Sequence, residues 1–201
     1  MGKTNLEGMQ EKMIGRLGEE PGKRIAEAMA KEYRSLRSEV TAYPKEFHRH
    51  LDRNIFPVVA TFRVLTGEGM SRTEAAKLAG EVYLELMERP RDLIQKVCKI
   101  PGVYRSMPFL WKILVPKLFP ESAGFRFTLY PTDSSRVEID MTVCPYYEAC
   151  QKLDAPEVAE IFCTTDDICY GQMHEKLIWN RTQTIARGGK FCDFDVFIKK
   201  E

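Results

Sequence analysis

The chain has 201 residues, 44% hydrophobic and 29% charged, a balance that excludes intrinsic disorder and allows a substantial core. With 30 basic residues against 29 acidic the net charge is +1, and no basic run resembles a phosphate-binding arm, so nucleic acid is not an expected partner. No stretch approaches the roughly 20 uninterrupted apolar residues of a spanning helix, and Met1-Gly-Lys-Thr-Asn-Leu lacks the apolar run of a secretory signal. The expectation is a cytoplasmic protein with a small-molecule substrate and no membrane partner. In that setting the six cysteines are expected as packing thiols, metal ligands or a catalytic thiol, and not as a disulfide framework.

Residues 3–40 carry helix formers with apolar positions at Ile25, Met29 and Tyr33, and Glu20-Pro21-Gly22 is expected to separate them from a weaker first helix. A second helix over residues 45–65 buries Phe47, Leu51, Ile55, Val58, Val59 and Phe62, with Pro57 expected to kink or divide it. His48 and His50 point apart at i and i+2, which argues against joint metal binding. Ser71-Arg-Thr-Glu74 has capping-box spacing and opens a helix with Ala75, Leu78, Ala79, Val82 and Leu86 on one face. From Asp92 to Phe119 the chain is apolar but interrupted by Pro101, Pro108 and Pro116. Trp111, Ile113, Leu114 and Leu118 there suit a short amphipathic lid or core helix, with contact to a membrane surface as the minor reading.

At Gly124 the period changes from helical to alternating. Phe125, Phe127 and Leu129 form one strand face, the turn Pro131-Thr-Asp-Ser134 comes next, and Val137, Ile139, Met141 and Val143 form the face of a second strand. Cys144-Pro145 ends that strand, and Tyr146 to Leu153 reads as a short helix. Pro156 opens another helix, whose buried stripe is Val158, Ile161, Phe162, Ile168, Cys169 and Met173. Along its edge lie Cys163, Asp166, Asp167, Tyr170 and His174, unless Thr164-Thr-Asp-Asp167 caps a new helix and divides this one.

A last hairpin is expected from residues 177–186 and 191–199, turning at Gly188-Gly189, with Arg181 opposite Val196 and Ile185 opposite Cys192. That register puts Trp179, Arg181, Gln183, Ile185, Cys192, Phe194, Val196 and Ile198 on the core face, and Thr182, Thr184, Asp193 and Asp195 on the other. A guanidinium on a core face needs a carboxylate, supplied by Asp166, Asp167 or a ligand.

Cys144-Pro145, Cys163-x-x-Asp166, Arg181-Thr182-x-Thr184, Gly188 or Gly189 and Cys192-Asp193-Phe194 together resemble the signature of the L-2-amino-thiazoline-4-carboxylic acid hydrolase family. The resemblance covers roughly the last 60 residues, and upstream only a Gly69-x-Ser71 segment before an alanine-rich helix is similar. It implies a cytosolic enzyme that hydrolyses a cyclic C=N bond, opening a thiazoline ring to N-carbamoyl-cysteine.

Such chemistry needs a nucleophile at the carbon between nitrogen and sulfur, a proton source, and a grip on the substrate carboxylate. Cys192 or Cys163 is a candidate nucleophile, provided that Arg181 lowers its pKa, and Asp166 a candidate acid or base that activates water instead. Arg181, Gln183, Tyr170 and Asp167 are the candidate substrate-binding residues. No cofactor is required. Zinc on Cys144, Cys163 and Cys192 is the metal alternative, although none of these spacings is the short C-x-x-C pair. A non-catalytic small-molecule-binding or thiolate-metal-binding domain is the alternative function. The expected architecture is α+β: a helical layer over residues 1–120, and a sheet and helix region over residues 121–201 carrying about four antiparallel strands, in one compact domain.

Overall fold

The structure, a computed structural model, describes residues 4–199. Helices α1 (Asn5–Leu17), α2 (Glu19–Ser38), the single turn α3 (His48–His50), α4 (Phe56–Gly67), α5 (Arg72–Glu85), α6 (Glu88–Cys98) and α7 (Val103–Leu118) lead to strands β1 (Arg126–Leu129) and β2 (Arg136–Val143). Then come α8 (Pro145–Lys152), α9 (Ala159–Tyr170), β3 (Leu177–Asn180) and β4 (Cys192–Ile198). This is the expected α+β layout, helical in its N-terminal part with four antiparallel strands in its C-terminal part. The chain forms two compact units, one of residues 4–86 with Tyr146–Ile161 and one of residues 87–145 with 162–199. The second unit thus joins α6 and α7 to the sheet.

In the first unit Thr4 and Glu7 make a capping box at the start of α1. The break between α1 and α2 falls at Gly18, whose φ of 86° is open to glycine, and not at Glu20-Pro21-Gly22. Pro21 sits in the first turn of α2, where a missing N–H breaks no helical bond. Pro57 also behaves differently from expectation. Residues 45–67 stay helical through a 3-10 turn, α3 and a π-helical stretch (Leu51–Ile55), and Pro57 lies in the first turn of α4. The proline therefore sits where the helix type changes, without a break. Ser71 and Glu74 form the expected capping box of α5. Met9, Met29, Leu36, Phe47, Phe56 and Phe62 are buried here, as is Leu153 after α8.

In the second unit Pro108 and Pro116 lie inside α7, which continues to Leu118, so the segment is a longer helix than its prolines suggested. The sheet order is β1-β2-β4-β3. Val137, Ile139, Leu177 and Val196 form its buried face with Met173 and Cys98, and Met107, Trp111 and Val115 of α7 pack against them. The alternation read for β1 and β2 therefore describes the folded strands. On the opposite face Arg136 donates two hydrogen bonds to Asp195, at 2.8 and 3.0 Å, across the β2–β4 pair.

Candidate active site

The site residues lie in the second unit, on the part of α9 after Ile161 and on the connection between β3 and β4. The α9 helix is continuous from Ala159 to Tyr170, so Thr164-Thr-Asp-Asp167 does not cap a new helix. Cys163, Asp166, Asp167 and Tyr170 occupy its last two turns. His174 lies beyond the helix, not on its edge. It makes an isolated bridge with Leu177, accepts the Lys176 N–H at Nδ1 (3.0 Å) and stacks on Tyr104 at 4.2 Å between ring centres.

The β3–β4 pairing is two residues out of the expected register: Trp179, and not Arg181, faces Val196. A shift of two preserves the side-chain faces, because a strand repeats every two residues. It also ends the ladder at Asn180, and polar side chains shape the loop beyond that point. The Asp193 carboxylate accepts the Thr182 N–H (3.0 Å), the Thr182 hydroxyl (2.5 Å) and the Gln183 N–H (2.8 Å). Burial pushes the Asp193 pKa up, and these bonds outweigh it and hold the group below the usual carboxylate range.

Thr184, expected on the outer face, is 1% exposed. Its side chain accepts the Arg187 N–H and caps the 3-10 turn Ile185–Arg187. Gly188 closes that turn with φ 83°, and the Gly189 N–H returns to the Thr184 carbonyl at 2.9 Å. Gly188-Gly189 is thus the end of a capped turn, not the centre of a two-residue hairpin. The Gln183 side-chain oxygen accepts the Lys190 N–H (3.1 Å), which gives it a role in the loop itself.

This loop turns Arg181 inward. Its side chain is only 2% exposed and is held by Asp166 (3.3 Å), Asp167 (2.7 Å) and the Cys163 carbonyl (2.8 Å). The guanidinium carbon also lies 5.7 Å from the Trp179 ring centre and 5.5 Å from that of Phe194. Asp167 accepts the Trp179 indole N–H at 3.1 Å. Trp111 meets Tyr170 and Trp179 edge-on, so an aromatic wall continues from the ion pairs. The expected carboxylate partners of Arg181 are therefore both present.

Desolvation raises the Asp166 pKa to about 7, with Arg181 opposing and the Asp167 charge reinforcing the shift. Its side chain is 36% exposed. Burial also raises Cys192, to about 11, despite the Ile185 N–H donated to its sulfur at 3.3 Å and the nearby Arg181 charge. Cys163 is raised by burial as well, more than its hydrogen bond with Thr184 and the Arg181 and Arg187 charges lower it. The cation does not bring either thiol below its ordinary value, contrary to the condition set for a thiolate nucleophile. Desolvation raises the Tyr170 phenol too.

None of the six cysteines is joined in a disulfide. Among the described residues no group of three or more His, Cys, Asp or Glu side chains is arranged to hold a metal ion, so the set Cys144, Cys163 and Cys192 does not assemble as a zinc site. Sequence reasoning missed Thr184, Asp193 and Trp179 as parts of this cluster. Thr184 and Asp193 already stood in the Arg-Thr-x-Thr and Cys-Asp-Phe runs. Assigning residues 181–184 to a strand turned them outward.

The acids, the guanidinium and the thiols thus meet between α9 and the end of the β3–β4 pair of an α+β fold. The model of the family described as L-2-amino-thiazoline-4-carboxylic acid hydrolase matches residues 48–196, and the chain belongs to that family. No curated protein matches the chain. Several solved structures align along nearly its whole length, two of them as follows. One is an H-NOX domain from Shewanella oneidensis in the Fe(II)CO ligation state, with 12% identity, TM-score 0.37 and 100% coverage of both chains. The other is the Fe(II) unliganded H-NOX protein from K. algicida, with 9% identity, TM-score 0.34 and coverage of 98% of this chain and 96% of that one.

Proposed function

We propose that the protein hydrolyses a small cyclic amidine or thiazoline carboxylate, with Asp166 as the acid–base group acting on water. Water adds to the ring carbon between nitrogen and sulfur, and Asp166 takes one of its protons and returns it to the ring nitrogen. The carbon–sulfur bond then breaks, a carbonyl forms, and the sulfur leaves as a thiol bearing the remaining proton. With 2-amino-thiazoline-4-carboxylate the product is N-carbamoyl-cysteine.

The observation that carries this reading is the placement of the Asp166 carboxylate, partly exposed at 3.3 Å from Arg181 and beside Asp167, where burial and the Asp167 charge push its pKa up toward the range useful for proton transfer. Arg181 is a positioning residue, since both terminal nitrogens already bind α9. The substrate carboxylate falls to Arg187, which is 44% exposed and 3.9 Å from Asp167, and Tyr170 lines the ring side.

The test is a pH–rate profile of thiazoline opening, read as released thiol, for the wild type and the Asp166→Asn, Cys163→Ser and Cys192→Ser variants. Asp166→Asn is expected to lose about 100-fold or more of kcat together with the limb near neutrality, and the serine variants are expected to keep turnover. A dead Cys163→Ser or Cys192→Ser beside an active Asp166→Asn would replace water with a thiol nucleophile.

A further inference from the structure

The reaction proposed above places no acid, base or substrate-binding charge on α6 or α7. Eight of the nine large apolar side chains that stay exposed among the described residues lie between Leu93 and Leu118. On α6, Leu93 and Val97 are one turn apart, and Ile100 comes a turn later. On α7, Phe109, Ile113 and Leu114 are 51%, 41% and 44% exposed, whereas Trp111 and Val115 turn to the sheet. The helix is therefore apolar on two sides, one of which has no protein against it in the described structure. Isolated exposed apolar residues are ordinary, but a concentration of this kind marks a binding surface.

Charge says what covers it. Seven of the 30 basic residues fall within 88–118 and only two of the 29 acidic ones, Glu88 and Asp92. This segment carries +5, so the remainder of a chain whose net charge is +1 carries −4. Lys96, Lys99, Arg105 and Lys117 are exposed among the apolar side chains. A docking face for a second copy of this chain would set these cations against each other or against a weakly acidic remainder. A surface rich in anionic headgroups over hydrocarbon satisfies cations and apolar side chains together. Among the described residues no helix is long and apolar enough to cross a membrane, and the contact at issue is one that lies on the surface.

We propose that α6 and α7 form an interfacial anchor that seats the protein on an anionic bilayer, against the expectation of no membrane partner. Leu93, Val97, Phe109, Ile113 and Leu114 enter the headgroup–acyl boundary, and Lys96, Lys99, Arg105 and Lys117 meet lipid phosphates.

Flotation of the full chain with vesicles tests this, using phosphatidylcholine alone and phosphatidylcholine mixed equally with phosphatidylglycerol. The expected result is co-flotation with the mixed vesicles only, released at high salt. Lys96→Glu with Lys99→Glu should weaken partitioning by at least about tenfold, and Ile113→Ser with Leu114→Ser should abolish it, with circular dichroism unchanged in both. Absence of co-flotation of the wild type overturns the proposal. So does equal binding to both vesicle types, or a dimer in solution that the same substitutions dissolve while no vesicle is bound.

Discussion

Desolvation pushes the Asp166 pKa up, and Arg181, which divides one guanidinium between Asp166 and Asp167, only partly opposes it. Asp167 takes the shorter ion pair, at 2.7 Å against 3.3 Å, and the weaker hold on Asp166 leaves its desolvation undercompensated. The pairing of an inward Arg181 with Asp166 or Asp167 was legible in the sequence, because a charge on an apolar face demands a partner. The thiol pKa values were not, since they depend on how deeply burial outweighs a cation nearby. The raised Asp166 pKa has a consequence for stability. The unfolded carboxyl titrates near 3.8 and the folded one near 7, so the folded state binds the proton more tightly. The stabilisation is complete below the unfolded value and is lost as pH rises through the folded one. Urea midpoints of the wild type and Asp166→Asn, compared between pH 4 and pH 8, are expected to fall on different slopes. The wild type should lose more stability over that window than the variant, and parallel slopes would show that Asp166 has an ordinary pKa.

At the scale of elements, hydrophobic alternation located β1, β2 and β4 and assigned their inner faces, because the residues that decide a strand's face are those that pack. It failed between Asn180 and Cys192, where packing decides little and hydrogen-bonding side chains decide the path. Asp193 gathers Thr182 and Gln183, Thr184 caps the turn, and Gln183 binds Lys190. Each bond needs a neighbour that only the folded loop supplies, so period alone could not reveal them. Pro57, Pro108 and Pro116 misled for a related reason: a proline ends a helix only where its missing N–H or its ring cannot be accommodated. Thr184→Val tests the loop with nearly constant volume. It removes the cap on Arg187 and the hydrogen bond with Cys163, a loss of about 1–3 kcal/mol for a buried polar pair. Native-state hydrogen exchange should show the Arg187 and Gly189 amides losing protection while those of β2 keep theirs. Uniform loss would mean that the loop does not open by itself.

At the scale of the molecule, the two units are not successive in the chain. It passes from the first to the second after Leu86, returns after Pro145, and passes again within α9 after Ile161. The segment Tyr146–Ile161 is thus tethered at both ends to the second unit, and the third passage runs through a continuous helix of 12 residues. Helical hydrogen bonds reach four residues back, and a helix this short is marginal without packing. Melting residues 162–170 would leave 159–161 too short to remain helical, and Ile161 would lose the geometry that sets it 3.1 Å from a Cβ position at Gly80. The two cores are therefore expected to unfold in one transition. Leu36→Ala in the first unit and Ile139→Ala in the second each remove a side chain no more than 2% exposed, at a cost of about 2–5 kcal/mol. In scanning calorimetry both should lower the same single midpoint, by about 2–4 °C for each kcal/mol lost in a chain of this size. Two resolved transitions, each displaced by only one of the substitutions, would mean that α9 can part at Ile161, and that the cluster around Arg181 stands on the stability of the second unit alone.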